Sequence, residues 1–292
     1  MRTILLGPNG QLGSDIRSAN AGMGDFLELF PVNRSMIDLQ DVDAASSFLD
    51  GLEFDCLVNC SSYHKTDDVE KNATLAFTIN AHLPQRLAEL CLKKKARFVH
   101  FSTDYVFGGG PKRDPFTEDD CKAPLNVYGA SKAMGEDLVM MVGADTLILR
   151  VASMFGVAGA SGKGGNFVET MIRIGREKGQ MRVVDDQVMS PTATADVARW
   201  LLEILRSGAT PGIWNLVNSG AATWHQFAAR IVAQAGVSAE VIPIASRDYP
   251  TAAKRPSYSV LDNSKLRSVI GPVRSWQDAL DDYLVAKQYR TR

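Results

Sequence analysis

Tyr128 and Lys132 stand four residues apart in Tyr128-Gly-Ala-Ser-Lys132, a spacing that puts both on one face of a helix. A free tyrosine has a pKa of about 10, too high for ready proton exchange at neutral pH. A neighbouring ammonium stabilises the phenolate and lowers that value. Tyr128 would then give a proton to an alkoxide as hydride arrives, or take one in the reverse direction. Upstream, Ser102-Thr103-Asp104-Tyr105 closes an apolar run. A hydroxyl at such a strand end, Thr103 above all, can hydrogen-bond a substrate carbonyl and polarise it. Each signal alone is weak. Tyr-x-x-x-Lys recurs by chance, and Ser, Thr and Asp end strands because they favour turns.

A third signal lies near the N-terminus. Gly7-Pro-Asn9-Gly10-Gln11-Leu12-Gly13 follows the apolar Ile4-Leu5-Leu6 and opens a helical stretch. The first glycine permits a tight turn, the second lets backbone amides approach a pyrophosphate, and the third lets helix and strand pack closely. The helix N-terminus would add partial positive charge. The spacing is Gly-x-x-Gly-x-x-Gly, not Gly-x-Gly-x-x-Gly, so the strand–turn–helix context carries the reading. Cradle, hydroxyl strand end and Tyr/Lys helix in this order point to hydride chemistry on a nicotinamide cofactor. After the second strand comes Val32-Asn33-Arg34-Ser35, without the carboxylate that would bind the ribose diol of NAD. Arg34 suits the 2′-phosphate of NADPH. Asp38 close by keeps NADH open.

These groups need elements to hold them. Apolar runs at 3–6, 26–32, 56–60, 98–102 and 146–151 read as parallel strands buried on both faces. They alternate with helical patterns at 11–19, 44–49, 73–94 and 127–142. The fold class expected is α/β, a Rossmann-type doubly wound parallel sheet with its site at the carboxyl ends of the strands. After Val151 the texture changes: a loop at 156–165, a helix at 166–178, a strand at 181–184, a loop at 185–192, a helix at 193–206 and a strand at 212–217. Helices at 224–234 and 276–285 follow. This predicts a smaller, discontinuous C-terminal substrate lobe. The expected division is 1–153 with 191–217 for the NAD(P)-binding domain, and 154–190 with 218–292 for the lobe.

Composition excludes other classes. The 292 residues are 45% apolar and 22% charged with a net charge of −1, so no basic nucleic-acid surface is expected. The run Ile4–Leu6 is too short for a signal core or a membrane span. Cys56, Cys60, Cys91 and Cys121 form no Cys-x-x-Cys pair, and the four histidines show no metal-ligand spacing. A cytoplasmic protein with reduced thiols, no metal and no membrane partner is the expectation, with a homodimer left open.

The chain resembles the extended short-chain dehydrogenase/reductase superfamily, and within it the dTDP-4-dehydrorhamnose reductase family. The resemblance rests on Gly7–Gly13, Val58-Asn59, Asn80, Ser102–Phe107, Pro124–Gly129, Ser131-Lys132, Gly135-Glu136, Gly165-Asn-Phe167, Asp186-Gln187, Pro191-Thr192, Thr223-Trp224 and Arg255-Pro256. It implies reduction of a 4-keto-6-deoxy sugar carried on dTDP, with hydride from NADPH, a proton from Tyr128 and orientation by Thr103. The cofactor wall expected is Gly7, Asn9, Gly10, Gln11, Leu12, Gly13, Asn33, Arg34, Asp38, Cys60 and Ser61, together with Tyr128 and Lys132. Asp104, Tyr105, Asn166, Phe167, Trp224 and Arg255 fall where the nucleotide-sugar is expected, Arg255 opposite its diphosphate.

There are departures. The family often reads Arg-Thr-Ser-Trp where this chain has Arg150-Val151-Ala152-Ser153, and Val-Asp-Lys-Ala-Glu where it has Thr66-Asp67-Asp68-Val69-Glu70. His64-Lys65 are unusual at their position. These changes bear on which sugar is bound more than on the reaction type. A 4,6-dehydratase would carry glutamate where Tyr105 stands, and a 4-epimerase would favour an acidic residue near Asn33. A non-catalytic NADP-binding subunit, like the β subunit of methionine adenosyltransferase, is a further alternative. Intact Thr103, Tyr128 and Lys132 favour an enzyme.

Overall fold

A computed structural model describes residues 1–159 and 165–291. Strand β1 (Arg2–Leu6) leads through α1 (Gln11–Gly22) to β2 (Glu28–Val32), α2 (Val42–Asp50) and β3 (Cys56–Asn59). The short helices α3 (Thr66–Val69) and α4 (Ala73–Phe77) precede α5 (Leu83–Lys94), β4 (Arg97–Thr103), α6 (Val127–Val142) and β5 (Thr146–Val151). Then come β6 (Met154–Phe155), α7 (Phe167–Lys178), β7 (Gln180–Val184), β8 (Val188–Met189), β9 (Thr192–Ala193), α8 (Thr194–Ser207) and β10 (Gly212–Asn215). The last elements are β11 (Ala222–Thr223), α9 (Trp224–Gln234), β12 (Glu240–Ile244), α10 (Ser264–Ile270) and α11 (Trp276–Ala286).

Six strands form one parallel sheet in the order β10-β5-β4-β3-β1-β2. The inner strands β1, β3, β4 and β5 are largely buried because both faces are covered, whereas the edge strand β2 is mostly exposed. Successive side chains take opposite sides. Leu5, Val58, Val99, Leu147 and Leu149 pack with Trp200 and Leu201 of α8 and Ile16 of α1. Ile4, Leu6, Leu57, Phe98 and Ile148 pack with Leu49 of α2, Leu87 of α5 and Val139 of α6. This is the doubly wound α/β sheet expected. The strand order reverses between β1 and β3, which opens a crevice at their carboxyl ends.

A separate apolar cluster joins Val168 and Ile172 of α7, Phe227 and Ile231 of α9, and Leu280 and Leu284 of α11. Helix α10 belongs with the sheet, for its Leu266 packs in the same layer as α8. The strand β12, the helix α10 and the short β8 within the expected loop 185–192 were not anticipated. Of the loop expected at 156–165, residues 160–164 lie outside the described residues. No helix among the described residues is long and apolar enough to cross a membrane.

The helix expected over 73–94 is interrupted. Between α4 and α5 the residues Thr78–His82 form a π turn. Pro84 has no N–H to give the Asn80 carbonyl, so a regular turn cannot close there. Gly135 of α6 leaves room for that carbonyl, since a Cβ at 135 would collide with it. The Asn80 side chain then ties elements together. It accepts from Tyr63 N–H at 2.9 Å and donates to the Tyr63 carbonyl and to Ser131 Oγ, each at 3.0 Å. The loop after β3 is thereby held against α6.

Candidate active site

The cradle forms where β1 gives way to α1. Gly7 has φ of +75° and donates its N–H to the Val32 carbonyl, which bends the chain over β2. Helix α1 starts on Gly10 with no side-chain cap and no acidic residue in its first turn. Among the described residues its first N–H groups thus have no side-chain acceptor, and the first turn carries no carboxylate to oppose an anion. A Cβ on Gly13 would strike the Gly7 carbonyl, so the close packing of helix on strand requires glycine. Gly10 differs: a Cβ there meets only the Gly7 oxygen, at 3.5 Å. Nothing among the described residues demands glycine at position 10, which fits a group that approaches the backbone from outside. The residues present therefore suit a pyrophosphate.

A cleft of about 1430 Å³ runs from this cradle along the strand ends. At one end it is lined by Asn9, Gln11 and Leu12 with Asn33, Arg34 and Asp38. Arg34 and Asp38 are exposed at the rim, while Asn33 is turned into its own loop by accepting from Ser35 N–H at 2.9 Å. Cys60 and Ser61 floor the middle, and Thr103, Asp104, Tyr105, Tyr128 and Lys132 follow. Asn166, Phe167 and Trp224 stand at the far side. Elements far apart in sequence thus share one cleft.

Three contacts aim Tyr128. Asn126 caps α6 by accepting from Gly129 N–H at 2.7 Å, and Glu70 accepts from Val127 N–H at 2.8 Å. Gly129 packs so closely under the Tyr105 carbonyl that a Cβ would clash with it. The Tyr128 ring meets Tyr105 edge-on, with centroids 6.0 Å apart. Burial pushes the Tyr128 phenol up to about 12, against hydrogen bonds from Thr103 and Ser62 that pull it down. Thr103 donates to Asp104 Oδ1 at 3.1 Å and accepts from Tyr105 N–H at 3.2 Å. Asp104 also accepts from Ser259 Oγ at 2.6 Å, and burial lifts its carboxyl to about 6.

The expected tuning of Tyr128 by Lys132 requires correction. Lys132 donates to the Phe101 carbonyl at 2.5 Å, and its Nζ lies 3.0 Å from His100 Nε2. Burial lowers Lys132 to about 7, so the charge meant to draw the phenol down is itself disfavoured. Desolvation wins on both groups. His100 was not anticipated: a lone histidine within an apolar strand gives no signal in sequence.

The family model for the RmlD substrate binding domain matches residues 1–289. The chain belongs to this family. A dTDP-4-dehydrorhamnose reductase of Mycolicibacterium smegmatis is 34% identical over 287 residues, covering 98% of this chain and 85% of the relative. The spore coat polysaccharide biosynthesis protein SpsK of Bacillus subtilis is 31% identical, covering 97% and 96%. A crystal structure of dTDP-4-dehydrorhamnose reductase from Bacillus anthracis in complex with NADP superposes with a TM-score of 0.90 at 30% identity, covering 98% of this chain and 99% of that one. The family is one of NAD(P)-dependent oxidoreductases of the extended short-chain dehydrogenase/reductase type.

At the far side of the cleft the anticipated residues divide. Phe167 and Trp224 meet with ring centroids 4.7 Å apart, an apolar wall contributed by α7 and α9. Asn166 caps α7, accepting from Glu169 N–H at 3.1 Å and donating to Tyr283 Oη at 3.2 Å, so much of its hydrogen bonding is internal. Arg255 stands behind the cleft wall, where its guanidinium reaches the hydroxyl of the cleft-lining Tyr105. It pairs with Asp67 at 2.6 Å, and Asp67 also accepts from Ala253 N–H. The cation placed opposite a diphosphate from sequence is thus shared between a half-exposed carboxylate of α3 and Tyr105 of the cleft wall. Tyr63 and His64 line the cleft and were not among the anticipated substrate residues.

Proposed function

We propose that this protein reduces the C4 ketone of a nucleotide-linked 4-keto-6-deoxy sugar with NADPH, and that the pair is dTDP-4-dehydro-L-rhamnose and dTDP-L-rhamnose. The observation that carries the reading is one cleft holding the glycine cradle, Thr103, Tyr128 and Lys132, faced by Phe167 and Trp224. NADPH supplies the hydride. Gly7, Gly10 and Gly13 with the N-terminus of α1 hold its pyrophosphate, and Arg34 at the rim takes the 2′-phosphate. Thr103 Oγ1 orients the ketone oxygen by turning its one hydrogen from Asp104 Oδ1 to the substrate. Tyr128 Oη passes its proton to that oxygen as the alkoxide forms and regains one afterwards. The phenol is protonated at neutral pH, as a proton donor in the reductive direction must be, and burial deepens that state at a cost in acidity. Lys132 would contact the nicotinamide ribose. Asp104 and Tyr105 adjoin the reacting carbonyl, and Phe167 and Trp224 give the sugar-nucleotide an apolar face.

The reading takes the sheet layer as the cofactor domain and the α7–α9–α11 cluster as the substrate lobe. It takes the cytoplasm as the setting, supported by the unpaired Cys56, Cys60, Cys91 and Cys121. Purified protein with dTDP-4-keto-6-deoxy-L-mannose should oxidise NADPH, with NADH slower, and yield dTDP-L-rhamnose. Turnover only with other keto-sugars would overturn the substrate. NADPH binding without turnover on any of them would favour a regulatory subunit.

A further inference from the structure

This inference deepens the reading above and rests on its assignment of Lys132 to the reacting site. Asn59 ends β3, His100 lies in β4 and Lys132 in α6, and all three are buried. They form a row. Asn59 Nδ2 is 3.2 Å from His100 Nδ1, and His100 Nε2 is 3.0 Å from Lys132 Nζ. The Asn59 amide is oriented from its other end, where Oδ1 accepts from Ser61 N–H at 3.0 Å and from the Ser61 hydroxyl. A backbone N–H can only donate, so the amide cannot turn over, and its NH₂ faces His100. His100 Nδ1 is then an acceptor. A neutral imidazole carries one hydrogen, which must sit on Nε2 and point at Lys132. An ammonium has no lone pair to receive it, but a neutral amine does. That amine still has a hydrogen for the Phe101 carbonyl at 2.5 Å.

We propose that Asn59 and His100 form a docking post that holds Lys132 as a neutral amine, so that Lys132 takes up its proton only on leaving His100 or when His100 changes tautomer and gives up Asn59. His100 is a positioning residue here and does not touch the reacting atoms. The surroundings agree. Burial drives His100 well below the usual imidazole range, so the ring stays neutral whether or not Lys132 is charged. Glu136, one turn along α6, favours a charged lysine, but its carboxylate is held by Arg150 of β5 at 2.8 Å, with Lys122 3.4 Å away. Tyr128 on the same helix is kept neutral by burial, and Asp104 beyond β4 acts on Tyr128. The Cys60 thiol beside Asn59 is pushed up by burial and is neutral too.

The test is nitrogen NMR on the full-length protein without substrate, with His100 assigned by the loss of its signals in His100→Gln. The expected result near neutral pH is a neutral ring with hydrogen on Nε2. Hydrogen on Nδ1, or a charged ring, overturns the proposal. In His100→Gln the side-chain oxygen can accept from an ammonium. The Lys132 titration midpoint, read from its side-chain resonances, should then rise by at least about one pH unit. An unchanged midpoint in a folded variant also overturns it. Asn59→Asp serves as the second variant, because a carboxylate keeps the Ser61 contact but asks His100 Nδ1 for a hydrogen. It should switch the tautomer and raise the Lys132 midpoint; retention of the Nε2 hydrogen there counts against the post. Failure of the parent to oxidise NADPH with any keto-sugar would sink the reductase reading while leaving the NMR result standing, so the two failures are distinguishable.

Discussion

Gly10 and Gly13 sit three residues apart in one motif, yet the structure assigns them opposite sensitivities. A methyl on Gly13 would lie 2.9 Å from the Pro8 Cα and closer still to the Gly7 carbonyl oxygen. All of these are backbone atoms, so no rotamer change can relieve the clash. Overpacking of this kind costs about 3 kcal/mol. With an unfolding entropy of about 0.6 kcal/mol/K for a chain of this length, Gly13→Ala should lower Tm by about 5 °C. Gly10 has φ of −76° and ψ of 171°, values alanine accepts, and its added methyl would meet only one atom at 3.5 Å. The change of N-cap residue costs at most about 1 kcal/mol, so Tm should fall by less than about 2 °C. Its cost should appear in binding, where a methyl between backbone and pyrophosphate should weaken NADPH at least about tenfold, or 1.4 kcal/mol. Thermal melting and NADPH fluorescence titration measure the two effects separately. A Gly10→Ala protein that binds NADPH like the parent would refute the cradle, and a Gly13→Ala protein with parental Tm would refute the packing argument.

Tyr128→Phe should cut turnover by about 10²–10⁴ with NADPH affinity nearly intact; turnover within a few-fold of the parent would remove the proton role. Arg34→Ala should weaken NADPH at least about tenfold more than NADH, the worth of a charge-assisted contact, and equal losses would remove the 2′-phosphate assignment. Glu136→Gln leaves Arg150, only 1% exposed, as an uncompensated buried cation, at a cost of about 3–5 kcal/mol; a denaturation midpoint like the parent's would contradict this. Burial raises Asp104 to about 6, so the folded chain holds that proton more tightly than the unfolded one. This contribution to stability is complete below about pH 4 and is lost as pH rises through 6. Asp104→Asn should therefore flatten the decline in stability across that window, and parallel curves for parent and variant would refute the assignment.

The parts legible in the sequence were those governed by local rules. The alternation of buried runs and amphipathic stretches gave the sheet, and the turn chemistry of Gly7–Gly13 gave the cradle. Thr103, Tyr128 and Lys132 could be placed because strand ends and helix faces follow from spacing. What was hidden depends on partners distant in sequence. The π turn at 78–82 arises from Pro84 together with a gap at Gly135. Arg255 carries a charge that suits a diphosphate, but only the fold reveals Asp67 beside it. His100 reads as one polar residue in a strand until β3 and α6 bring Asn59 and Lys132 to its two nitrogens. The effect of Lys132 on Tyr128 was inferred from proximity alone, and burial of both groups outweighs it.

Strand β10 completes the sheet beside β5, but residues 152–211 separate the two along the chain. During synthesis all six residues of β5, each buried in the finished protein, must wait for that partner. At the usual pace of translation the delay is on the order of several seconds. Throughout it the nascent chain presents an apolar strand with an open hydrogen-bonding edge, a template for pairing with other chains. The order of elements thus makes this edge a point at which a stalled or truncated chain is prone to aggregate, and one that a chaperone would shield.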